Sequence, residues 1–441
     1  MQRAALFLAL SAHALAASSM DLLQIYRDAR SSDAIYRSAQ EAYKADLEKL
    51  PQARSLLLPK VDLSANTMGN DVSLQYQGSN IFESGASRFN SKGYVLSLTQ
   101  PLFRLDNWVT YTEAEFKVTL ADARYRMASQ DLILRASRAY FNVLETLDEL
   151  KLARAQIAAA SAKLEKARRK LEMGTGNTED VYDSEAGLEQ AKAREIEIEG
   201  NLQISKRMLQ KISGDGQDEI MPLDEEPGIP AQQWLNLDKW LNVAQHNNLE
   251  LIAAQANVAV ADKEVSRHRD AHYPTVDLVA STSRSTAGSS MLGAGVGMEM
   301  TGNAIGVELN LPIYEGGAIQ SKLREAEANR YRAMDDLENV RGNVDIQTRR
   351  ACLGVVDGIA RVKALDLALK SSEKMLRAMK LGRVAGSRDN LDVLNAQVQF
   401  YSASRDLEHA KYDFLMSQLQ LKAAVADLAE ADLYRVNRLF H

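Results

Sequence analysis

The sequence holds one cysteine, Cys352, among 441 residues, so it can form no internal disulfide and build no multi-cysteine zinc or iron–sulfur site. Prolines number 8, where average usage would give roughly 22, and helix-breaking punctuation is correspondingly scarce. Aromatics make up only 6%. After the first few residues, no stretch reaches the ~18 uninterrupted apolar residues that a transmembrane helix needs. A basic excess is missing too: 53 Lys and Arg face 59 Asp and Glu, which excludes a polybasic nucleic-acid binder. At 46% hydrophobic and 25% charged, the composition also excludes a disordered chain. The chain is folded, helix-biased and too long for one ordinary domain.

The N-terminus sets the compartment. A short basic start, Met1-Gln2-Arg3, leads into the apolar run 4–10 and then into Ala14-Leu15-Ala16. This reads as a secretory signal peptide, residues 1–16, cut after Ala16. An exported protein without an apolar helix is periplasmic, secreted, or held in an outer membrane by other means.

From Asn107 to Met173 there is neither Gly nor Pro, and strong helix formers dominate. Leu132, Ala136, Ala139, Tyr140, Val143, Leu144 and Leu147 fall at helical spacing. A stripe that long is covered only by a neighbouring helix, which predicts coiled-coil packing. The run stops at Gly174-Thr175-Gly176-Asn177, and a second helix is expected from about 178 to 212. A similar unit recurs at 318–381, followed by Gly382 to Gly386 and a helix over about 389–426. Gly342, Gly354 and Gly358 interrupt its first helix and suit close helix–helix approach. An N-terminal helix over about 21–50 and another over about 249–269 complete the helical prediction.

The two halves echo each other. Leu58-Pro59-Lys60-Val61-Asp62-Leu63 matches Tyr273-Pro274-Thr275-Val276-Asp277-Leu278 at an offset of 215 residues. Leu98-Thr99-Gln100-Pro101-Leu102-Phe103 matches Leu309-Asn310-Leu311-Pro312-Ile313-Tyr314 at 211, and Gly174 with Asp180-Val181 matches Gly386 with Asp392-Val393 at 212. Three matches in order at near-constant offset indicate an internal duplication. The breaker cluster at 215–237 is a linker between a first repeat, 17–214, and a second, 238–427; a C-terminal segment, 428–441, follows.

Residues beside the prolines alternate. Val61, Leu63 and Ala65 alternate with Asp62, Ser64 and Asn66; Tyr94, Leu96 and Leu98 alternate with Val95, Ser97 and Thr99; Ile305, Val307 and Leu309 alternate with Gly306, Glu308 and Asn310. Strands of ~9–11 residues with one apolar face suit a tilted membrane crossing, and equally suit two soluble hairpins on a small sheet. The stretches 73–90 and 287–301 read as loops.

Chemistry-bearing constellations are few. His268 and His272 have the spacing of a helical metal pair, but Arg269-Asp270-Ala271 between them lacks the Glu of H-E-x-x-H, and they read as two histidines at a helix end. Gly293-Ala294-Gly295-Val296-Gly297 mimics a phosphate loop but lies between strands, and Cys352 reads as packing. No catalytic, metal or cofactor site is expected.

Taken together, these motifs resemble the TolC family of outer-membrane export channels over nearly the whole mature chain. Its carriers are Leu57-Leu58-Pro59-Lys60-Val61-Asp62-Leu63, Gln100-Pro101-Leu102-Phe103, Leu311-Pro312-Ile313-Tyr314-Glu315-Gly316-Gly317, and the stretch 386–428 with Leu391-Asp392-Val393-Leu394-Asn395-Ala396. The resemblance implies a mainly α fold with β. In it, a homotrimer pools four strands per protomer into a twelve-stranded transmembrane barrel, continued by a long coiled-coil helical barrel. Closure itself follows from physics, because open strand edges are not tolerated in lipid.

The resemblance also implies site residues and partners. Asp392 falls where the family places an acidic ring at the periplasmic constriction, with Asn395 in place of a second Asp. Asp180 and Arg388 fall at links that hold the entrance shut; Glu179 and Arg383 replace a hydroxyl and a phenol there and can pair instead. Gly174 and Gly386 mark the turns that face a periplasmic membrane-fusion adaptor. The implied partners are that adaptor, an ABC or proton-driven inner-membrane pump, and the lipid of a Gram-negative outer membrane. The alternative reading is a soluble periplasmic coiled-coil adaptor or scaffold. The segment 213–237 is too short for the many-stranded module that an adaptor usually carries.

Overall fold

The structure is a computed structural model that describes residues 21–75, 85–214, 220–221, 236–288 and 297–438. The signal-peptide stretch 1–16, most of the 215–237 linker and all of the 293–297 loop except Gly297 lie outside the described residues. Ten helices and four strands follow one another among those described. They are α1 (Leu22–Ser32), α2 (Ala34–Leu47), α3 (Lys49–Ser55), β1 (Lys60–Leu74), β2 (Gly85–Phe103), α4 (Leu105–Glu172), α5 (Thr178–Ser213), α6 (Leu237–Asn247), α7 (Leu249–Asp270), β3 (Thr275–Ala287), β4 (Met298–Asn310), α8 (Ala318–Val384), α9 (Asn390–Ala424) and α10 (Glu430–Asn437). Helices, a strand pair and a long helical hairpin thus occur twice in the same order. No described helix is long and apolar enough to cross a membrane.

Contacts divide the chain into two compact bodies. One holds residues up to 42, 123–251 and 340 onward; the other holds 43–122 and 252–339. The first body is helical. Its main core joins Leu22, Ile25 and Ala29 of α1 to Leu132, Ala136, Tyr140 and Val143 of α4, Leu202 of α5, Leu415 of α9 and Leu433 of α10. A second cluster packs Cys352 and Val355 of α8 against Ala410 and Phe414 of α9. Burial pushes the Cys352 thiol up, as packing without reactivity requires. Gly354 and Gly358 permit this approach: a Cβ there would lie 2.9 Å from Ser417 Oγ and 3.1 Å from Phe414 Cδ2. Within the single chain Gly342 faces open space, so no helix of the same chain approaches it there.

The second body carries the sheet, ordered β1-β2-β3-β4 and antiparallel throughout. Register gathers apolar residues on one face: Val61 opposes Leu98, Leu98 opposes Ala280, and Ala280 opposes Ile305, while Gln100, Thr282 and Asn303 fall on the same face in the flanking rows. Leu63 opposes Leu96, and Leu278 opposes Val307. On the other face, Asp62, Ser97, Ser281 and Ala304 form one row. The apolar face is bare, with Leu63 70% and Ile305 78% exposed. Beside the sheet, Arg104 Nε donates to Asp277 Oδ1 at 2.9 Å and Nη2 to Oδ2 at 2.5 Å.

Some expectations are corrected. The N-terminal helix over 21–50 is broken twice: Asp33 turns extended at φ −66°, ψ 117° and ends α1, and α2 stops at Leu47 before α3 starts at Lys49. The Asp33 carboxylate accepts from Arg135 Nη1 at 2.8 Å, from Arg135 Nη2 at 3.0 Å and from Tyr36 N at 2.7 Å. The strands run 13 to 19 residues, longer than the expected crossings, and take over the margins of the supposed loops 73–90 and 287–301. The backbone ladder continues through the surplus, to Leu74–Gly85 and Ala287–Met298, with Arg88–Asp71 and Arg284–Glu299 paired across it. The short helices α6 and α10 are additions.

Candidate functional site

The two hairpin turns, α4–α5 and α8–α9, are built alike to the level of single hydrogen bonds. Gly174 and Gly386 both adopt left-handed backbone, at φ 74° and 75°, where only glycine is free of strain. Gly174 N donates to Leu171 O at 3.0 Å, and Gly386 N to Arg383 O at 3.1 Å. Thr175 N and Gly176 N converge on Lys170 O, as Ser387 N and Arg388 N converge on Gly382 O. The next helix is then capped in each case: Asn177 Oδ1 accepts from Asp180 N at 2.8 Å, and Asp389 Oδ1 from Asp392 N at 2.9 Å. Behind each turn sits a small equivalent core, Leu164 with Val181 in one and Leu376 with Val393 in the other.

The two tips differ in charge. Asp392 occupies the third position of α9, and its Oδ2 accepts from Asp389 N at 3.2 Å, completing a capping box. Asp389 Oδ2 is gripped by Lys166 Nζ of α4. That ammonium, with the Asp392 amide, holds the Asp389 carboxyl below its ordinary value, and Asp389 in turn raises Lys166. Asn177 is the neutral counterpart of Asp389. Lys163 pairs with Asp183 at 3.0 Å and Arg168 with Glu185 at 3.4 Å, stapling α4 to α5.

Of the residues singled out from sequence, the structure places Asp392 half-buried beside Asp389, while Asn395 is exposed one turn further on. Glu179, Asp180, Arg383 and Arg388 are all exposed at the two turns. Within the single chain, neither Asp180 with Arg388 nor Glu179 with Arg383 forms an ion pair among the described residues. An ion pair that does join the hairpins near their tips, Lys166–Asp389, was missed; further back, His409 of α9 meets Glu145 of α4 at 2.9 Å. Asp389 carried a signal, as an N-cap residue type three positions before Asp392; Lys166, 223 residues away, carried none. Elsewhere, His268 Nε2 lies 3.6 Å from Glu264 Oε2, and His272 Nδ1 lies 3.1 Å from Arg269 O. Among the described residues, no group of three or more His, Cys, Asp or Glu is placed to hold a metal.

The chain thus carries a four-stranded antiparallel sheet with an exposed face rich in apolar residues, and two equivalent helical hairpins that end in charged tips. The chain belongs to the outer membrane efflux protein family, whose model matches residues 25–215 and 240–427. It is 31% identical over 440 residues to outer membrane protein TolC of Escherichia coli strain K12, across 98% of this chain and 87% of that one. It is 28% identical to the proteases secretion protein PrtF of Dickeya chrysanthemi, across 96% of this chain and 92% of that one. The fold matches the crystal structure of the Campylobacter jejuni CmeC outer membrane channel with a TM-score of 0.73 at 16% identity, covering 95% of this chain and 89% of that one. The protein is therefore an outer-membrane export channel of the kind that serves type I secretion or efflux, with its helical tunnel in the periplasm. The family is one of transport channels and not of enzymes.

Proposed function

We propose that the channel is a homotrimer whose twelve strands close one barrel. The observation that carries this is the sheet itself. Among the described residues, β1 pairs only with β2 and β4 only with β3, so each chain offers two open edges beside a bare apolar face. Lipid tolerates neither open edges nor unpaired backbone. Joining the β4 edge of one chain to the β1 edge of the next satisfies both. Eight strands from two chains leave no channel, whereas twelve from three do.

The helical hairpins then line a periplasmic entrance. Its constriction is set by Asp392, with Asn395 adding no charge. Glu179 and Asp180 of one hairpin meet Arg383 and Arg388 of a neighbouring hairpin to hold the entrance shut. The turns at Gly174 and Gly386 meet a membrane-fusion adaptor, and an ABC or proton-driven inner-membrane pump supplies the energy, because this chain offers no nucleotide-binding motif. No cofactor and no catalytic centre take part. The repeats run over 17–214 and 238–427, joined by the 215–237 linker, with the signal peptide at 1–16 and a C-terminal segment at 428–441. Light scattering of the detergent-solubilised protein tests the assembly. The expected mass, after subtracting detergent, is three mature chains; a monodisperse monomer that keeps its strand content refutes the barrel.

A further inference from the structure

The ion pair at the second tip bears on what the pore conducts. We propose that Lys166 is a built-in counter-ion of the constriction, which silences the Asp389 carboxylate and so limits the cation selectivity of the channel. This rests on the reading that Asp392 lines the constriction.

The reciprocal capping bonds bring the two carboxylates to one helix N-terminus. Asp389 Oδ1 accepts from Asp392 N, and Asp392 Oδ2 accepts from Asp389 N. Each carboxylate therefore has one oxygen left over. The free oxygen of Asp389 is taken by Lys166 Nζ, while Asp392 Oδ1 has no partner among the described residues. The capping pair and its clip thus bring two negative charges and one positive together here, with the exposed Arg388 next to them in sequence. With Asn395 contributing none, Asp389 is the one other carboxylate in the first turn of α9. Lys166 and Asp389 are 44% and 43% exposed at their side chains, so the pair contributes little to stability. Its effect is on the local potential, which dissolved salt leaves in force within a Debye length of about 8–10 Å. Threefold repetition multiplies whatever each copy contributes.

Lys166 also joins α4 to the start of α9, so a purely mechanical role must be separated from an electrostatic one. The full-length channel in planar bilayers under a KCl gradient gives the permeability ratio of K⁺ to Cl⁻ from the reversal potential. Lys166→Met is expected to raise that ratio severalfold, because it unmasks one negative charge in each protomer, which attracts K⁺ and repels Cl⁻. Lys166→Arg is expected to keep the wild-type ratio. Adding Asp389→Asn to Lys166→Met is expected to restore it, because the tip regains its net charge without regaining the clip. An unchanged ratio in Lys166→Met overturns the inference, and so does a double variant that stays at the Lys166→Met value. Asp392→Asn separates the two readings. If it leaves the ratio unchanged, the constriction reading fails and this inference falls with it. If it lowers the ratio while Lys166→Met has no effect, only the inference fails.

Discussion

Replacing Gly176 by alanine tests the duplicated tip at its tightest point. A Cβ at 176 would lie 2.9 Å from Lys170 Cβ, 3.0 Å from Leu171 N and 3.1 Å from the Lys170 carbonyl carbon. These are side-chain root and backbone atoms, which cannot swing aside. Relief requires the end of α4 to shift, against the bonds from Thr175 N and Gly176 N to Lys170 O at 2.9 and 3.0 Å. Overpacking of this kind costs ~1–3 kcal/mol. The equivalent contact in the second turn is inverted, with glycine at 382 and the larger residue at 388. There a Cβ on Gly382 would meet Arg388 Cγ at 2.8 Å, a stem that can rotate away. Gly382→Ala should therefore cost less, and Arg388→Gly added to it should remove the closer contact, leaving Ser387 Oγ at 3.2 Å. Hydrogen-exchange mass spectrometry of peptides spanning each turn reads the difference. A local loss of ~2 kcal/mol speeds exchange about 30-fold, expected around residues 170–180 for Gly176→Ala, with a change below about fivefold around 382–392 for Gly382→Ala. Equal effects at both turns, or none at Gly176, would refute the argument from stem and backbone contacts.

The Asp33–Arg135 pair is buried, with side chains 5% and 25% exposed, and Asp33→Asn should destabilise the helical body by ~3 kcal/mol at neutral pH, read as a lower urea midpoint in detergent. Burial pushes the Asp33 carboxyl up, but its bonds from Arg135 and the Tyr36 amide outweigh this and leave it low. A lowered carboxylate contributes its stability above the unfolded value near 3.9 and loses it as pH falls through the folded value, so the gap between wild type and Asp33→Asn should persist at pH 5 and close towards pH 2; a gap independent of pH sinks the ion-pair account. At the entrance, Arg388→Ser with Arg383→Phe should raise single-channel conductance by more than the two single changes combined. Unchanged conductance in an intact trimer would make both arginines surface charges.

How much of this was legible depends on whether an element is fixed locally. The stretch 107–173 reads as helix because nothing in it can break one, and α4 ends at Glu172, where Gly174 takes over. The turns were legible as repeats because their bonds join residues only a few positions apart. Asp33 is an N-cap residue type whose Oδ1 accepts from Tyr36 N three positions on, so the break carried a local signal; its second partner, Arg135, is 102 positions away and carried none. The strand ends were hidden for a related reason: Asp71, Arg88 and Glu299 are loop-like residues whose charges are neutralised across the ladder. Helix α10 is only 8 residues long, too short to hold its shape alone; it is fixed where Leu433 and Val436 join the main core. Lys166 met the same barrier, since a lysine on a charged helix face names no partner.

The two tips separate what duplication conserves from what it frees. Turn geometry is shared down to the carbonyl that gathers two amides, Lys170 O in one copy and Gly382 O in the other. The requirement behind it is shared as well: one residue of the pair 170 and 176, or 382 and 388, must lack a side chain. The copies meet that requirement from opposite sides, which places a lysine before the first turn and an arginine after the second. The cap positions diverge likewise, Asn177 being neutral and Asp389 charged, although both make the same bond to the amide three residues on. A cap tolerates either residue, because the helix needs only an oxygen there. The charge on Asp389 is thus surplus to the fold, and the fold answers it with Lys166 from the other hairpin. A residue that the backbone does not need to be charged, held by a cation that the packing does not need, is where the difference between the two repeats bears on conduction.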